Sequence, residues 1–182
     1  MPGQILSENI FAADRNQLSV VRTALGSVGD LYPGFDHWLS AKVGSGLDNG
    51  SRRVLVYRQR SRILGIAIAK RTPSERKLCT LWVDQGARGQ RAGAALGSAL
   101  FRWLNTDKPL FTVPEERLTE FRGLLNGWGF GQPNGIEGLY RDGKIEYVFN
   151  GAIVFSSAAQ NLDYDMPQVF GIERGDLFEA RA

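Results

Sequence analysis

One stretch near the middle of the chain constrains the fold more than any other: Leu78-Cys79-Thr80-Leu81-Trp82-Val83-Asp84-Gln85-Gly86-Ala87-Arg88-Gly89-Gln90-Arg91-Ala92-Gly93-Ala94-Ala95-Leu96. It reads as a short apolar strand, a polar loop with glycines, and then a helix. Ala92, Ala95, Leu96, Ala99, Leu100, Trp103 and Leu104 fall on one face at the helical period. The N–H groups of a helix's first turn have no intrahelical partner, and the aligned peptide dipoles add positive potential there. Small residues at Gly93, Ala94 and Ala95 let a ligand come close to that turn. Strand, loop and helix together make an anion site, best suited to a phosphate.

The spacing excludes two common forms of that device. It is not Gly-x-x-x-x-Gly-Lys-Ser/Thr, so a P-loop is set aside. It is not Gly-x-Gly-x-x-Gly, and no acidic residue stands where a dinucleotide ribose needs one. The remaining composition narrows the class further. A chain of 182 residues suits one domain with a single sizeable core, and 43% hydrophobic with 23% charged residues is a soluble, globular balance. No apolar run is long enough to span a bilayer, and the start carries no signal-peptide pattern, so a cytoplasmic protein without a membrane partner is expected. The single cysteine, Cys79, has no internal disulfide partner, and with the single histidine, His37, it makes no zinc set, so no metal is expected. A net charge of +3 favours an anionic ligand but is too small to establish nucleic-acid binding.

Read from its beginning, the chain predicts a first strand over Gln4 to Ala12, with Asp14 as N-cap of a helix carrying Leu18, Val21, Ala24 and Leu25 on one face. A second short helix presents Phe35, Trp38, Leu39 and Val43 and is expected to end at Gly44-Ser45-Gly46 and Asn49-Gly50. Two β-rich runs, Val54 to Tyr57 and Ile63 to Ala69, form a hairpin with a basic tip. After the central stretch come a short strand at Pro109 to Val113 and a capping-box pattern, Thr112-Val113-Pro114-Glu115, opening a helix with Leu118, Phe121, Leu124 and Leu125. The last strands span Ile136 to Tyr140 and Lys144 to Phe149, joined by the turn Arg141-Asp142-Gly143.

The central loop resembles that of the GNAT N-acetyltransferase superfamily. Arg88-Gly89-Gln90-Arg91-Ala92-Gly93-Ala94-Ala95-Leu96 is similar to the Arg-Gly-x-Gly-x-Gly-x-x-Leu form, with Arg91 where a glycine is usual; Gln90-x-x-Gly93-x-Ala95 fits the shorter form in a shifted register. Gly65 and Gly129-Phe130 stand at two further landmarks, and the element order is similar from about Gln4 to Asn150. The resemblance implies an α/β (α+β) GNAT fold: a central, mixed, mostly antiparallel twisted sheet of about seven strands, splayed between the fourth and fifth, flanked by about four helices. It implies an acetyl-CoA-binding domain over residues 1–150. Residues 151–182 form an acidic C-terminal extension, packed on the domain or at a partner interface such as a homodimer.

The same resemblance implies acetyl-CoA as acetyl donor, held by Leu81, Trp82, Val83, Arg88, Gly89, Gln90, Arg91, Ala92, Gly93 and Ala94. It implies direct acetyl transfer to a primary amine of a small molecule or protein, with an acceptor wall drawn from Tyr32, Asp36 and His37. The sequence departs from the family at the acid: Leu125 stands where a tyrosine is common, which leaves Tyr140 and Tyr32 as candidates, with Tyr140 preferred. Glu115 and Glu116 lie at the end of the fifth strand, beside the implied gap. Glu115 suits the capping box, so Glu116 is the expected general base. Two alternatives stay open. Arg52, Arg53, Arg58, Arg60, Arg62, Lys70, Arg71, Arg76 and Lys77 form a basic belt that suits an aminoacyl-tRNA acceptor. The missing tyrosine suits a non-catalytic module that keeps the coenzyme site.

Overall fold

The computed structural model describes residues 5–7 and 9–153. The elements run β1 (Ile5–Ser7), β2 (Ile10–Ala13), α1 (Leu18–Ala24), α2 (Gly26–Gly29) and α3 (Phe35–His37), which continues as a π-helical turn (Trp38–Val43) into α4 (Gly44–Asp48). Then follow β3 (Arg52–Gln59), β4 (Arg62–Arg71), β5 (Arg76–Val83), α5 (Ala92–Leu104), β6 (Leu110–Pro114), α6 (Leu118–Gly127), β7 (Asn134–Glu137) and β8 (Ile145–Phe149). All eight strands join one sheet in the order β1-β2-β3-β4-β5-β6-β8-β7. Every pairing is antiparallel except the parallel β5–β6 contact. The sheet is therefore mixed and mostly antiparallel, as expected. It has one strand more than expected, because the segment at Gln4 to Ala12 folds back on itself and pairs Ile5 with Phe11.

Alternation along the strands divides the interior into two cores. Ile66 and Ile68 of β4 face one cluster, with Leu18, Val21, Leu25, Phe35, Trp38 and Leu39 of the α1–α4 layer. Ala67 and Ala69 face the other, with Leu96, Leu100, Leu104 and Leu125 from α5 and α6. Period two in the strands and period 3.6 in the helices thus point at each other across the sheet. Burying each of these large aliphatic side chains contributes roughly 1.5–3 kcal/mol. Leu125, at the position where the resemblance makes a tyrosine common, belongs to the second core and is 4% exposed.

Two glycines set how closely α5 approaches. A Cβ on Gly65 of β4 would lie 2.8 Å from the Leu96 side chain, and the Trp128 indole occupies the space a Cβ on Gly97 would need. Glycine also explains a departure from expectation. The helix does not end at Gly44, because α4 runs through Gly44 to Asp48 with Gly44 and Gly46 buried, and the aliphatic stem of Arg52 fills the place of a Gly46 side chain. Close packing, rather than chain breaking, is what these glycines serve. Asp14 caps as expected: it accepts from the Asn16 N–H while its own N–H donates to Gln17. Thr112 does not cap; it is buried within β6, and Pro114 precedes the next turn with no side-chain cap.

The feature that makes the site is a parting of β5 from β6. The two pair only at Lys77↔Leu110 and Leu78↔Phe111. Just beyond, Ala69 pairs with Leu78 and Ile68 with Thr80, so Cys79 is an extra residue on β5. Such a bulge puts consecutive side chains on one face and bends the strand. From Cys79 onward, β5 pairs with β4 alone and its other edge faces open space. The parting lies where the resemblance put it, between the fourth and fifth strands of the expected seven. The turn at Arg141-Asp142-Gly143 is part of a longer connection from Gly138 to Lys144, which carries Tyr140 into the core instead of along a strand. Residues 154–182, nearly all of the expected acidic extension, lie outside the described residues.

Candidate active site

A cleft of about 490 Å³ opens in the parting. One wall is β5 from Cys79 to Val83, and the facing wall is β6 from Phe111 to Pro114. The loop from Ala87 through Ala94 closes one end, and Ser27, Val28, Leu31 and Tyr32 close the side nearest α2. Two buried threonines line it, Thr80 at 6% and Thr112 at 4% exposure, and neither hydroxyl completes a hydrogen bond. Orphaned buried hydroxyls are costly unless something else satisfies them. Here both line the gap where β5 and β6 part.

The loop and helix start present the backbone N–H groups on which the expected anion site depends. The first helical bond of α5 runs from the Ala95 N–H to the Arg91 carbonyl, which places the N–H groups of Ala92, Gly93 and Ala94 ahead of it. Asp84 shapes the loop entry by accepting from the Gly86 N–H at 3.0 Å, and Gln90 braces the loop by donating from its side chain to the Gly86 carbonyl at 3.0 Å. Of the ten residues expected to hold the coenzyme, nine line the cleft. Gln90 does not; it acts on the loop from behind. At the mouth, Glu120 pairs with Arg88 at 3.1 Å and with Arg117 at 2.8 Å.

Arg91 explains its own departure from the resemblance. It caps α5 with φ +66°, the left-handed region where glycine is ordinarily found. Holding an L side chain there costs roughly 1–2 kcal/mol. Arg91→Gly is therefore expected to raise stability by about 0.5–1 kcal/mol in urea unfolding, after the greater entropy of an unfolded glycine is set against the relief. A destabilised variant would show instead that the Arg91 side chain holds the loop.

The expected catalytic and acceptor residues separate. Tyr32 lines the cleft, but Asp36 and His37 do not. Both are exposed on α3; Asp36 accepts two hydrogen bonds from Arg22, which hold its carboxyl below its usual pKa. The chain turns between them at Gly34, with φ +79°, sending Tyr32 inward and the α3 polar face outward. Glu116 also stands away from the cleft lining. Arg141 donates to both its oxygens at 2.9 and 2.8 Å and holds its pKa down to about 2. A carboxylate so committed is a poor proton acceptor near neutral pH. Tyr140 is buried behind the lining, its hydroxyl 3.4 Å from Lys77 Nζ and its ring edge-on to Tyr32 at 5.7 Å.

One residue was missed. Glu146, on β8, is 3% exposed and accepts from the Tyr32 hydroxyl at 3.2 Å. Burial pushes its carboxyl up to about 7, offset in part by Thr112, Tyr32, Arg141 and Lys77. Thr112 lies near enough to act on it without completing a well-formed bond. The signal was present in β8 itself: at period two, Glu146 shares the inward face with Val148, where a charged residue is unexpected.

The basic belt is divided by the fold. Arg52 and Lys77 are buried, Arg53 and Arg71 lie on the Trp103 ring, Arg58 lies on Phe11, and Lys70 pairs with Glu75 at 2.9 Å. No helix among the described residues is long and apolar enough to cross a membrane, and no group of three or more potential metal ligands occurs among them.

Comparison with solved structures gives a consistent result. A protein assigned to the GNAT acetyltransferases, from Desulfovibrio desulfuricans, superposes with a TM-score of 0.63 at 15% identity, over 77% of this chain and 95% of that one. The ribosomal-protein-alanine N-acetyltransferase of Brucella melitensis gives 0.61 at 14%, over 79% and 99%. The chain has the GNAT fold. Arabidopsis thaliana NAA60, solved with a bisubstrate analogue, gives 0.60 at 15%, over 77% and 94%. No family model matches the sequence, and no curated protein sequence matches it. At these identities the likeness is one of GNAT architecture, and the chemistry must be argued from the cleft.

Proposed function

We propose that this protein is an acetyl-CoA-dependent N-acetyltransferase that passes the acetyl group directly to a primary amine of a small molecule or protein. The observation that carries the reading is the open edge of β5, which runs from the α5 N-terminus to two buried, unsatisfied threonine hydroxyls. Those residues fit the coenzyme. The N–H groups of Ala92, Gly93 and Ala94 suit its pyrophosphate, each helix-end interaction contributing roughly 0.3–1 kcal/mol. Arg88 and Arg91 add cationic partners from the same loop. The backbone of Leu81, Trp82 and Val83 suits the amide-bearing arm, taken up as an added strand. When bound, the coenzyme supplies an acetyl group activated as a thioester.

The chain's own groups then have definite tasks. A backbone N–H near Trp82 polarises the acetyl carbonyl, in a setting where water is partly excluded. Tyr32 and the apolar residues Val28 and Leu31 receive the acceptor from the α2 side. The activity named for the Brucella protein supports N-acetyl transfer as the reaction class.

The test is release of coenzyme thiol from acetyl-CoA, followed with a panel of primary amines, alongside calorimetry of coenzyme binding. Micromolar binding together with turnover of at least one amine is expected. Binding without turnover on any amine would convert the reading to a non-catalytic coenzyme-binding module, and absence of binding would end both.

A further inference from the structure

Beneath the cleft floor, on the α1–α4 side of the sheet, lies a buried polar cluster most of which the coenzyme site does not use. Its members are Tyr32, Lys77, Thr112, Tyr140 and Glu146. They come from the α2–α3 connection, β5, β6, the β7–β8 connection and β8, so no local stretch of sequence makes the cluster. Only Tyr32 and Thr112 reach the cleft surface. Tyr32 connects the two: the residue lines the cleft, and its hydroxyl donates to Glu146 Oε1 at 3.2 Å.

We propose that Glu146 is the proton acceptor of this enzyme, reached from the acceptor amine through the hydroxyl of Tyr32. The inference rests on the acetyltransferase reading above. Burying a carboxyl on this strand face costs stability, which its partners Tyr32, Lys77 and Arg141 offset in part. Position favours the relay. β8 sets Glu146 opposite Pro114 of β6 and Ile136 of β7, at the end of β6 that bounds the cleft. The charged and titratable groups facing it are Tyr32, Tyr140, Lys77 and Arg141, and Arg141 is held from the other side by Glu116. The Glu146 carboxyl, near 7, is matched to accepting a proton at neutral pH, whereas that of Glu116 is not.

The step balances without further reagents. The acceptor enters as an ammonium ion. Tyr32 Oη takes one of its N–H protons while the Tyr32 O–H proton passes to Glu146, so one proton moves from nitrogen to carboxylate and Tyr32 ends as it began. The neutral amine forms a C–N bond to the acetyl carbonyl carbon, and the C–S bond breaks. A second amine proton leaves with the sulfur as coenzyme thiol. Glu146 returns its proton to solvent by the same path. Tyr32 touches the acceptor and is the catalytic residue of the pair; Glu146 acts through it.

The experiment compares the full chain with Glu146→Gln and Tyr32→Phe, each first checked for fold by circular dichroism and for coenzyme binding by calorimetry. Both variants are expected to bind coenzyme within about twofold of wild type and to lose roughly 10²–10⁴-fold in kcat. The wild-type kcat is expected to rise through pH 7, and that limb is expected to vanish in Glu146→Gln. Carboxyl-selective carbon NMR of the ligand-free protein supplies a readout independent of turnover: one glutamate is expected to titrate near pH 7 and to disappear in Glu146→Gln. Should that variant not fold, Tyr32→Phe, which removes only a hydroxyl, carries the same kinetic expectation. An unchanged kcat and pH profile in a variant that binds coenzyme overturns the relay and leaves the acetyltransferase reading standing. No turnover by wild type with any amine overturns both.

Discussion

Gly93→Glu is expected to abolish coenzyme A binding while the domain stays folded. Gly93 is the second residue of α5 and lines the cleft, where its N–H is one of three ahead of the first helical hydrogen bond. A Cβ there would meet Leu124 and Val83 side chains at 3.5 Å, an ordinary van der Waals distance, so the backbone tolerates a side chain. The carboxylate it carries would then stand in the space a pyrophosphate needs. Like charges in a partly dry site repel far more strongly than in water, and the added side chain also fills the approach to the N–H groups. Calorimetry should show loss of at least 100-fold in affinity (about 2.7 kcal/mol), with the circular dichroism spectrum unchanged. Retained affinity in a folded variant removes coenzyme binding from this end of the cleft.

Stability is expected to fall as pH rises from about 4.5 to about 7, and Glu146 is the cause. Its carboxyl has an ordinary value of 4.5 and is raised to about 7 in the folded protein, chiefly by burial. Between those values the folded state holds a proton that the unfolded chain has released, so raising the pH favours unfolding. The difference corresponds to about 3 kcal/mol, fully expressed above pH 7 and absent below pH 4.5. Glu116 and Asp36 act in the opposite sense, with carboxyls held low, but their effect is confined to more acid solution, below their ordinary values. Urea unfolding of wild type from pH 4.5 to 8 should show the decline, and Glu146→Gln should flatten it. An equal slope in wild type and variant would assign the pH dependence to other groups.

The two halves of the site were unequally legible. The loop end of the cleft could be read in advance because its geometry is local. Strand, loop and helix start are contiguous, small residues at Gly93 and Ala94 bear directly on how near a ligand can come, and the first-turn N–H groups follow from helix geometry alone. Even Gln90, which the structure puts behind the loop, belongs to the same local unit. The proposed acid–base half was not legible. Glu116 looked right by its place at the end of β6, yet Arg141, brought in by the β7–β8 connection, takes both its oxygens. Asp36 and His37 looked right by nearness to Tyr32, yet one left-handed glycine between them turns the two faces apart. Thr112 read as a helix cap and is a cleft residue.

By itself, then, the sequence determined the order of elements, the two apolar faces that make a doubly covered sheet, and the unpaired N–H groups at the start of α5. These depend on periodicity and on the unpaired groups of a helix end, which are properties of neighbouring residues. Only the tertiary structure decided which polar groups share the cleft. The bulge at Cys79 opens β5 from β6, and the register of β8 then sets Glu146 within hydrogen-bond reach of Tyr32, 114 positions earlier in the chain. A one-residue slip in that register would turn Glu146 to the opposite face of the sheet. Register across strands is settled by the packing of both cores at once, and no window of sequence contains it.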